Sequence, residues 1–406
     1  MTTGPSPPPG PDRPHAEALD AADALAAFRT RFADEDPGTI YLCGNSLGRQ
    51  PLAAARRIEH ALKEWAEQLV EGWHGWLDLP ARVGDLMAGP ILGAAAGQVV
   101  VSDSTSVNLY KLAMAARAAV PGRQVVVTDA GDFPTDRYVL EGLGNRRLIT
   151  ADPITGPTVD DVARALDEQV AVVCLSHVGY RSAALADMAA ITAAVHDAGA
   201  LMLWDLSHSA GCYPVALDQC GVDLAVGCTY KYLCAGPGAP ALLYVRTQLQ
   251  ERLRQPIWGW FGQRDQFAMG ERYDPSPDIR RFLVGTPSVI GLAGVQGGVE
   301  VVAEAGLAAI RTKAVALGEL GVQLHRAWLA PQGFALGSPE DGVRRGSHLA
   351  LRHADAQRIH HALARDGRVI TDFRFPDTIR LGLAPLTTRF SDVWDAFDRL
   401  RALSYR

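Results

Sequence analysis

The chain holds 406 residues, 48% hydrophobic and 21% charged, which suits a globular core and excludes disorder along the whole length. A net charge of -6 with a pI near 6.0 argues against a nucleic-acid scaffold, which needs a basic face. No apolar run reaches the roughly 18 residues of a membrane span, and no basic segment followed by an apolar one opens the chain, so a cytoplasmic protein without a secretory signal is expected.

Residues 1–15 carry six prolines and little to bury, and are expected to be disordered. A helical pattern runs from Ala16 to Phe32, followed by the loop Gly44-Asn45-Ser46-Leu47-Gly48, and residues 16–50 are expected to pack with a C-terminal domain. A helix from Pro51 to about Val70 opens a large domain expected over 51–286. Within it, short apolar runs alternate with helical patterns: Gln98–Ser102, Gln124–Asp129, Ala171–Ser176, Ala200–Asp205, Leu224–Thr229 and Ala241–Val245. These runs do not alternate with polar residues, as expected of strands buried on both faces. The pattern predicts an α/β fold with a mostly parallel central sheet flanked by helices. Residues 287–406 then read as a smaller α+β domain. It begins with a helical stretch to about Leu329 and continues with Ser347–Arg352, a helix over 354–366, Thr378–Leu383 and a last helix from about Phe390.

Arginine outnumbers lysine 35 to four, so chemistry that needs a side-chain amine has only Lys63, Lys111, Lys231 and Lys313 to draw on. Lys231 stands in Thr229-Tyr230-Lys231-Tyr232, in the turn leaving the apolar run Leu224–Thr229, at the sheet edge where open α/β folds bind ligands. Asp205, 26 residues earlier, ends another such run and is followed by Ser207 and His208. Alone, an Asp there is more often a helix cap. Paired with a strand-end lysine it matches the two fixed points of a pyridoxal phosphate site, a Schiff-base lysine and a carboxylate on the pyridine nitrogen. Ser104-Thr105-Ser106 follows a third strand and opens a helix, which suits either an ordinary cap or an anion cradle. Phe133-Pro134-Thr135-Asp136 follows a fourth, where an aromatic either covers a cofactor ring or fills a turn. No cluster has metal-ligand spacing, and no metal is expected.

With Gly44–Gly48, Asp103–Leu109, Phe133–Asp136, Asp205–His208, Thr229–Tyr232, Gly259-Trp260-Phe261-Gly262 and Ile379-Arg380-Leu381 in this order, the chain resembles kynureninase, a pyridoxal-phosphate enzyme of the aspartate-aminotransferase fold class (fold type I). The resemblance spans residues 41 to 383 and implies hydrolytic Cβ–Cγ cleavage of L-kynurenine to anthranilate and L-alanine, in tryptophan catabolism and pyridine nucleotide biosynthesis. It implies that Lys231 carries the cofactor and serves as general base, that Asp205 pairs with the pyridinium with His208 beside it, and that Thr105, Ser106 and the Tyr230 hydroxyl bind phosphate. Phe133 would stack on the ring, Asp136 would sit near the phenolic oxygen, and Ser176 would be a further cofactor contact. Tyr230 would also act as acid or relay. Trp260 and Thr286 would reach the phosphate of the neighbouring subunit of a homodimer. Arg380 would grip the substrate carboxylate, which a planar fork does bidentately. Asn45 and Ser46 would lie at the substrate, and Trp73 or His74, in Gly72-Trp73-His74-Gly75-Trp76, would border the aryl group unless they pack in the core. Thr286 stands where relatives favouring 3-hydroxykynurenine have Asn, which leaves the ring substituent open.

Three other readings compete. A cysteine desulfurase needs a nucleophilic cysteine far downstream of the lysine, and no cysteine follows Cys234. A transaminase would use the same Lys231 and Asp205, but the Gly-Trp-Phe-Gly and Gly-Asn-Ser-Leu-Gly segments favour kynureninase. A non-catalytic protein that kept the fold would have little reason to keep both residues.

Overall fold

The structure is a computed structural model and describes residues 10–33, 36 and 38–404. Its strands are β1 (Ile40–Tyr41), β2 (Val99–Ser102), β3 (Val125–Asp129), β4 (Arg146–Ile149), β5 (Val170–Ser176), β6 (Leu201–Asp205), β7 (Leu224–Gly227), β8 (Ala241–Val245), β9 (Ala335–Leu336), β10 (His348–Arg352), β11 (Val369–Ile370), β12 (Asp372–Arg374) and β13 (Thr378–Gly382).

A seven-stranded sheet runs in the order β2-β8-β7-β6-β5-β3-β4. Only β8 runs against the rest, pairing antiparallel with β2 and β7. Alternate residues feed two cores. Val101, Val127, Val173 and Trp204 pack with the helices Leu79–Leu92, Met188–Asp197 and Val289–Ala305. Val100, Val126, Val172 and Leu203 pack with the helix Thr105–Ala119. Both faces are therefore dry, which is why the sequence shows apolar runs instead of alternation. The edge strand β4 escaped that reading because Arg146 and Arg147 sit half-buried at its start.

A third core lies under the antiparallel sheet β12-β13-β10-β9 and includes Leu349, Leu351, Ile379, Leu381 and Phe397. Ala16, Ile40 and Leu42 join it, and β1 pairs parallel with β11. The expected disorder of residues 1–15 needs correction: residues 1–9 lie outside the described residues, but a helix starts at Arg13 with Asp12 capping it. Long-range partners hold this start, since Trp394 Nε1 donates to the Pro11 carbonyl at 2.9 Å and Arg13 Nε to Asp395 at 2.9 Å. The helix also ends sooner than Phe32, at Ala21, and a 3-10 segment covers Ala26–Arg31. The helical stretch read to Leu329 is likewise broken. Gly306, at φ +77°, separates Val289–Ala305 from Leu307–Leu324, and the axis turns by 80°. Among the described residues no single helix is long and apolar enough to cross a membrane.

Candidate active site

The carboxyl ends of β3, β5, β6 and β7 converge on one edge of the large sheet. Asp205 is the last residue of β6; its Oδ1 accepts from the Ser207 amide at 2.8 Å, and its carbonyl from the His177 amide at 2.9 Å. Ser176 ends β5, and its amide donates to Asp132 Oδ2 at 3.3 Å. Asp136, on the first turn of the helix Pro134–Gly142, lies beside Asp205. Burial raises the Asp136 carboxyl well above the usual range, and the charges of Asp205 and Asp132 add to it. Burial likewise pushes Asp132 up to about 7 against its bond to Ser176. Three buried carboxyls thus meet at one point, with Lys231 the cation that bears on Asp136.

Lys231 is half-buried beyond β7, with Nζ 3.4 Å from His208 Nε2 and 5.9 Å from the Phe133 ring centroid. His208 is buried, and burial together with Lys231 and Arg380 drives its imidazole well below its ordinary pKa, so it is neutral. Tyr230 is half-buried beside Cys228, and burial raises its phenol. The loop Gly44–Gly48 closes on this segment: the Gly48 amide donates to the Tyr230 carbonyl at 2.8 Å, and a Cβ on Gly48 would stand 2.2 Å from the Lys231 carbonyl oxygen. Glycine is required there by close approach.

Thr105 and Ser106 occupy the first turn of the helix Thr105–Ala119, capped by Ser104, which accepts from the Val107 amide at 3.3 Å. First-turn amides have no carbonyl partner within the helix, so this end favours an anion.

The other wall comes from the small sheet. Arg380 on β13 is 1% exposed; Nε donates to Asp372 Oδ1 at 2.7 Å, Nη2 to Ser46 Oγ at 3.0 Å, and Nη1 to the Tyr180 carbonyl. Ser46 and Arg374 also bond to Asp372. Burial would raise Asp372, but the bond to Arg380 and its charge prevail and hold this carboxyl below its usual range. Tyr180 packs its edge on Phe133, with centroids 5.2 Å apart, and His208 lies 5.7 Å from the His348 ring, so both walls meet. Asn45 and His348 are buried with their side-chain polar atoms unpartnered by protein. Such groups are costly unless something bonds them, and here they leave this wall able to bond a polar ligand.

One chain does not bring every expected residue here. Trp260 is 40% exposed and packs on Phe261 and Phe267, and Thr286 is exposed. Their segments lie together, the Phe261 amide donating to the Val284 carbonyl at 3.2 Å. Trp73 packs against Trp76 and Phe261, and His74 points to solvent with Nδ1 2.9 Å from the Glu71 carbonyl oxygen. None of these four shares a bond or ring contact with Lys231 or Arg380 among the described residues. Sequence reasoning missed Asp372, Arg374, Tyr180, His348 and Asp132. The only signal was the alternation Asp372-Phe373-Arg374, which places both charges on one face of a strand.

A relative from Pseudomonas fluorescens named kynureninase is 43% identical over 388 residues, covering 93% of this chain and 92% of the relative. Another, from Burkholderia pseudomallei, is 44% identical over 404 residues, covering 96% and 94%. The chain belongs to the kynureninase family. Kynureninases are pyridoxal-phosphate-dependent hydrolases of carbon–carbon bonds. The model of the kynureninase C-terminal domain matches residues 310–400, the stretch that supplies His348, Asp372 and Arg380. Solved structures share the fold at low identity. A cysteine desulfurase from Escherichia coli has a TM-score of 0.78 at 17% identity, over 93% of this chain and 98% of that one. A C-DES mutant with glycine linked covalently to its pyridoxal phosphate has a TM-score of 0.77 at 16% identity, over 96% and 99%. These establish fold type I, which the resemblance implied; the mostly parallel sheet within it is what the apolar runs predicted. Of the six cysteines five are buried and Cys220 is half-buried, and none follows Cys234.

The donor set fits pyridoxal phosphate. A cluster of buried carboxyls at Asp205 suits a pyridinium, the neutral His208 and the amine of Lys231 stand beside it, and a capped helix start offers amides and two hydroxyls.

Proposed function

We propose that this chain hydrolyses L-kynurenine to anthranilate and L-alanine, with unsubstituted kynurenine preferred over 3-hydroxykynurenine. The observation that carries the reading is the pairing of walls: Lys231 and Asp205 on one side, and a buried Arg380 held by Asp372, Ser46 and Tyr180 on the other. Such a cleft takes an amino acid by its amine and carboxylate together, which fits the family's substrate.

Bound pyridoxal phosphate supplies an electron sink for bond breaking next to the substrate amine. The chain's residues do the rest. Lys231 Nζ would be the base that removes and returns the proton at Cα. Asp205, in contact with Asp136, balances a positive ring nitrogen. Phe133 covers a ring face, and Thr105, Ser106 and Tyr230 hold the phosphate. Ser176 and His208 fix the ring in place. Arg380 orients the carboxylate, with Asn45 and Ser46 beside it, and Tyr230 supplies a proton near the γ-carbonyl.

Trp260 and Thr286 are exposed on one chain and their segments meet at Gly259 and Val284, which supports a homodimer in which each chain would complete the other's site. Trp73 packs into the same aromatic group, so an aryl contact by Trp73 or His74 would also be made across subunits. The protein would act in the cytoplasm, in tryptophan catabolism.

The specificity rests on Thr286. Thr offers a shorter side chain than Asn and no amide, so a ring hydroxyl directed at it loses a partner, at a cost of roughly 1–3 kcal/mol. Steady-state kcat/KM for the two substrates, with anthranilate and alanine measured as products, tests this. Kynurenine should lead by about tenfold to a hundredfold, and Thr286→Asn should narrow the gap. A preference for 3-hydroxykynurenine would overturn the specificity, and absence of alanine release would overturn the reaction.

A further inference from the structure

Lys111 is one of four lysines in the chain, and its side chain is entirely buried. It sits two turns into the helix that begins at Thr105, among Leu109, Leu112 and Ala115, where a leucine would pack without desolvating a charge. Its ammonium donates to Asp103 Oδ2 at 2.6 Å and to the Phe282 carbonyl at 2.8 Å. Asp103 is the residue that turns the chain from β2 toward Ser104-Thr105-Ser106. Its φ is +50°, a left-handed conformation that side chains with a Cβ seldom adopt, and its carbonyl is fixed by the Ala241 amide at 3.0 Å. A carboxylate two residues ahead of a phosphate cradle would repel a dianion. Here a buried ammonium compensates it and draws it inward.

We propose that Lys111 and Asp103 are positioning residues for the cofactor phosphate: their ion pair holds the turn that presents Thr105 and Ser106 and cancels the carboxylate beside the anion. The proposal rests on the reading of Thr105 and Ser106 as phosphate ligands. It assigns Lys111 a role apart from Lys231, since the Lys111 amine is bonded within the protein and touches neither Asp205 nor His208. Through Phe282 the same ammonium ties the cradle to the segment that leads to Thr286.

The test compares two ligands on the apoprotein. Pyridoxal lacks the phosphate, so a defect in the cradle weakens pyridoxal phosphate and spares pyridoxal, whereas general loosening weakens both. Dissociation constants of both are read from the yellow absorbance of the ligand linked to Lys231 in wild type, Lys111→Met, Lys111→Gln, Lys111→Met with Asp103→Asn, and Thr105→Ala with Ser106→Ala. Lys111→Met should weaken pyridoxal phosphate roughly tenfold, the size of one charge-assisted contact, and change pyridoxal less than about twofold. Adding Asp103→Asn should recover most of the loss, because the uncompensated carboxylate is gone. If Lys111→Met does not fold, Lys111→Gln, which keeps a donor for the Phe282 carbonyl, gives the same ratio. Equal weakening of both ligands, an unchanged ratio, or no recovery in the double variant would overturn the proposal. An unchanged ratio in Thr105→Ala with Ser106→Ala would instead overturn the phosphate reading beneath it.

Discussion

On the lysine wall of the cleft, buried carboxyls crowd one another: Asp136 lies beside Asp205, Asp132 is close by, and both Asp132 and Asp136 hold protons more tightly than usual. On the arginine wall the opposite arrangement holds, with Arg380 neutralised by Asp372 and fixed further by Ser46 and Tyr180. The first wall is an acidic pocket suited to an incoming cation. The second is pre-organised: its guanidinium is locked in place, and under the proposed function it would meet a substrate carboxylate without rearranging. The difference separates two tasks. Charge balance on the lysine wall waits for a ligand, whereas orientation on the arginine wall is built into the protein.

The largest effect should come from the lysine wall. Lys231→Ala removes the amine that adjoins His208 and Phe133 and should lower turnover by roughly four orders of magnitude or more. Borohydride reduction of the wild-type holoenzyme followed by peptide mapping should place the pyridoxyl group on Lys231. A label on Lys63, Lys111 or Lys313 would break the assignment of this wall.

The arginine wall should respond in KM more than in kcat. Asp372→Asn keeps the shape but removes the charge that orients Arg380. KM for kynurenine should rise about tenfold to a hundredfold while kcat falls less. Because breaking a buried pair also costs stability, on the order of 3 kcal/mol, the melting temperature should be followed alongside. An unchanged KM with a lowered melting temperature would mean that Asp372 serves the fold and not the substrate.

A pH-dependent effect, with no expected change in turnover, sharpens the electrostatic contrast. Asp132 keeps its proton in the folded protein up to about pH 7, against an ordinary carboxyl pKa of 3.8. Between those values the folded state binds more protons than the unfolded one, so this group's contribution to stability is full below pH 3.8 and is lost as pH rises through about 7. Asp132→Asn should flatten that fall in the apoprotein, by at most about 4 kcal/mol across the window. Denaturation midpoints measured from pH 4 to 8 check it. A slope identical to wild type would show that the pocket is already neutral without the variant.

The sequence by itself determined the large sheet except its edge strand β4, and several of the residues at its ligand edge. Strands buried on both faces must be apolar along their length, so Val170–Ser176 and Leu201–Asp205 are visible as runs, and the polar residue ending each run, Ser176 or Asp205, marks the ligand edge. Lys231 was legible for the same reason, standing just past β7 in a chain with so few lysines. Only the tertiary structure decided the rest. Arg380 was one arginine of 35 until the pairing of β12 with β13 set Asp372 opposite it and the Gly44–Gly48 loop brought Ser46 onto it across more than 300 residues. The short strands β1, β9 and β11 carry no periodicity of their own, because two residues cannot show one. They exist through partners distant in sequence, as does the helix start at Arg13, held by Asp395 and Trp394. Local pattern records what a segment buries. Which charge meets which is set by long-range contacts that no single segment encodes.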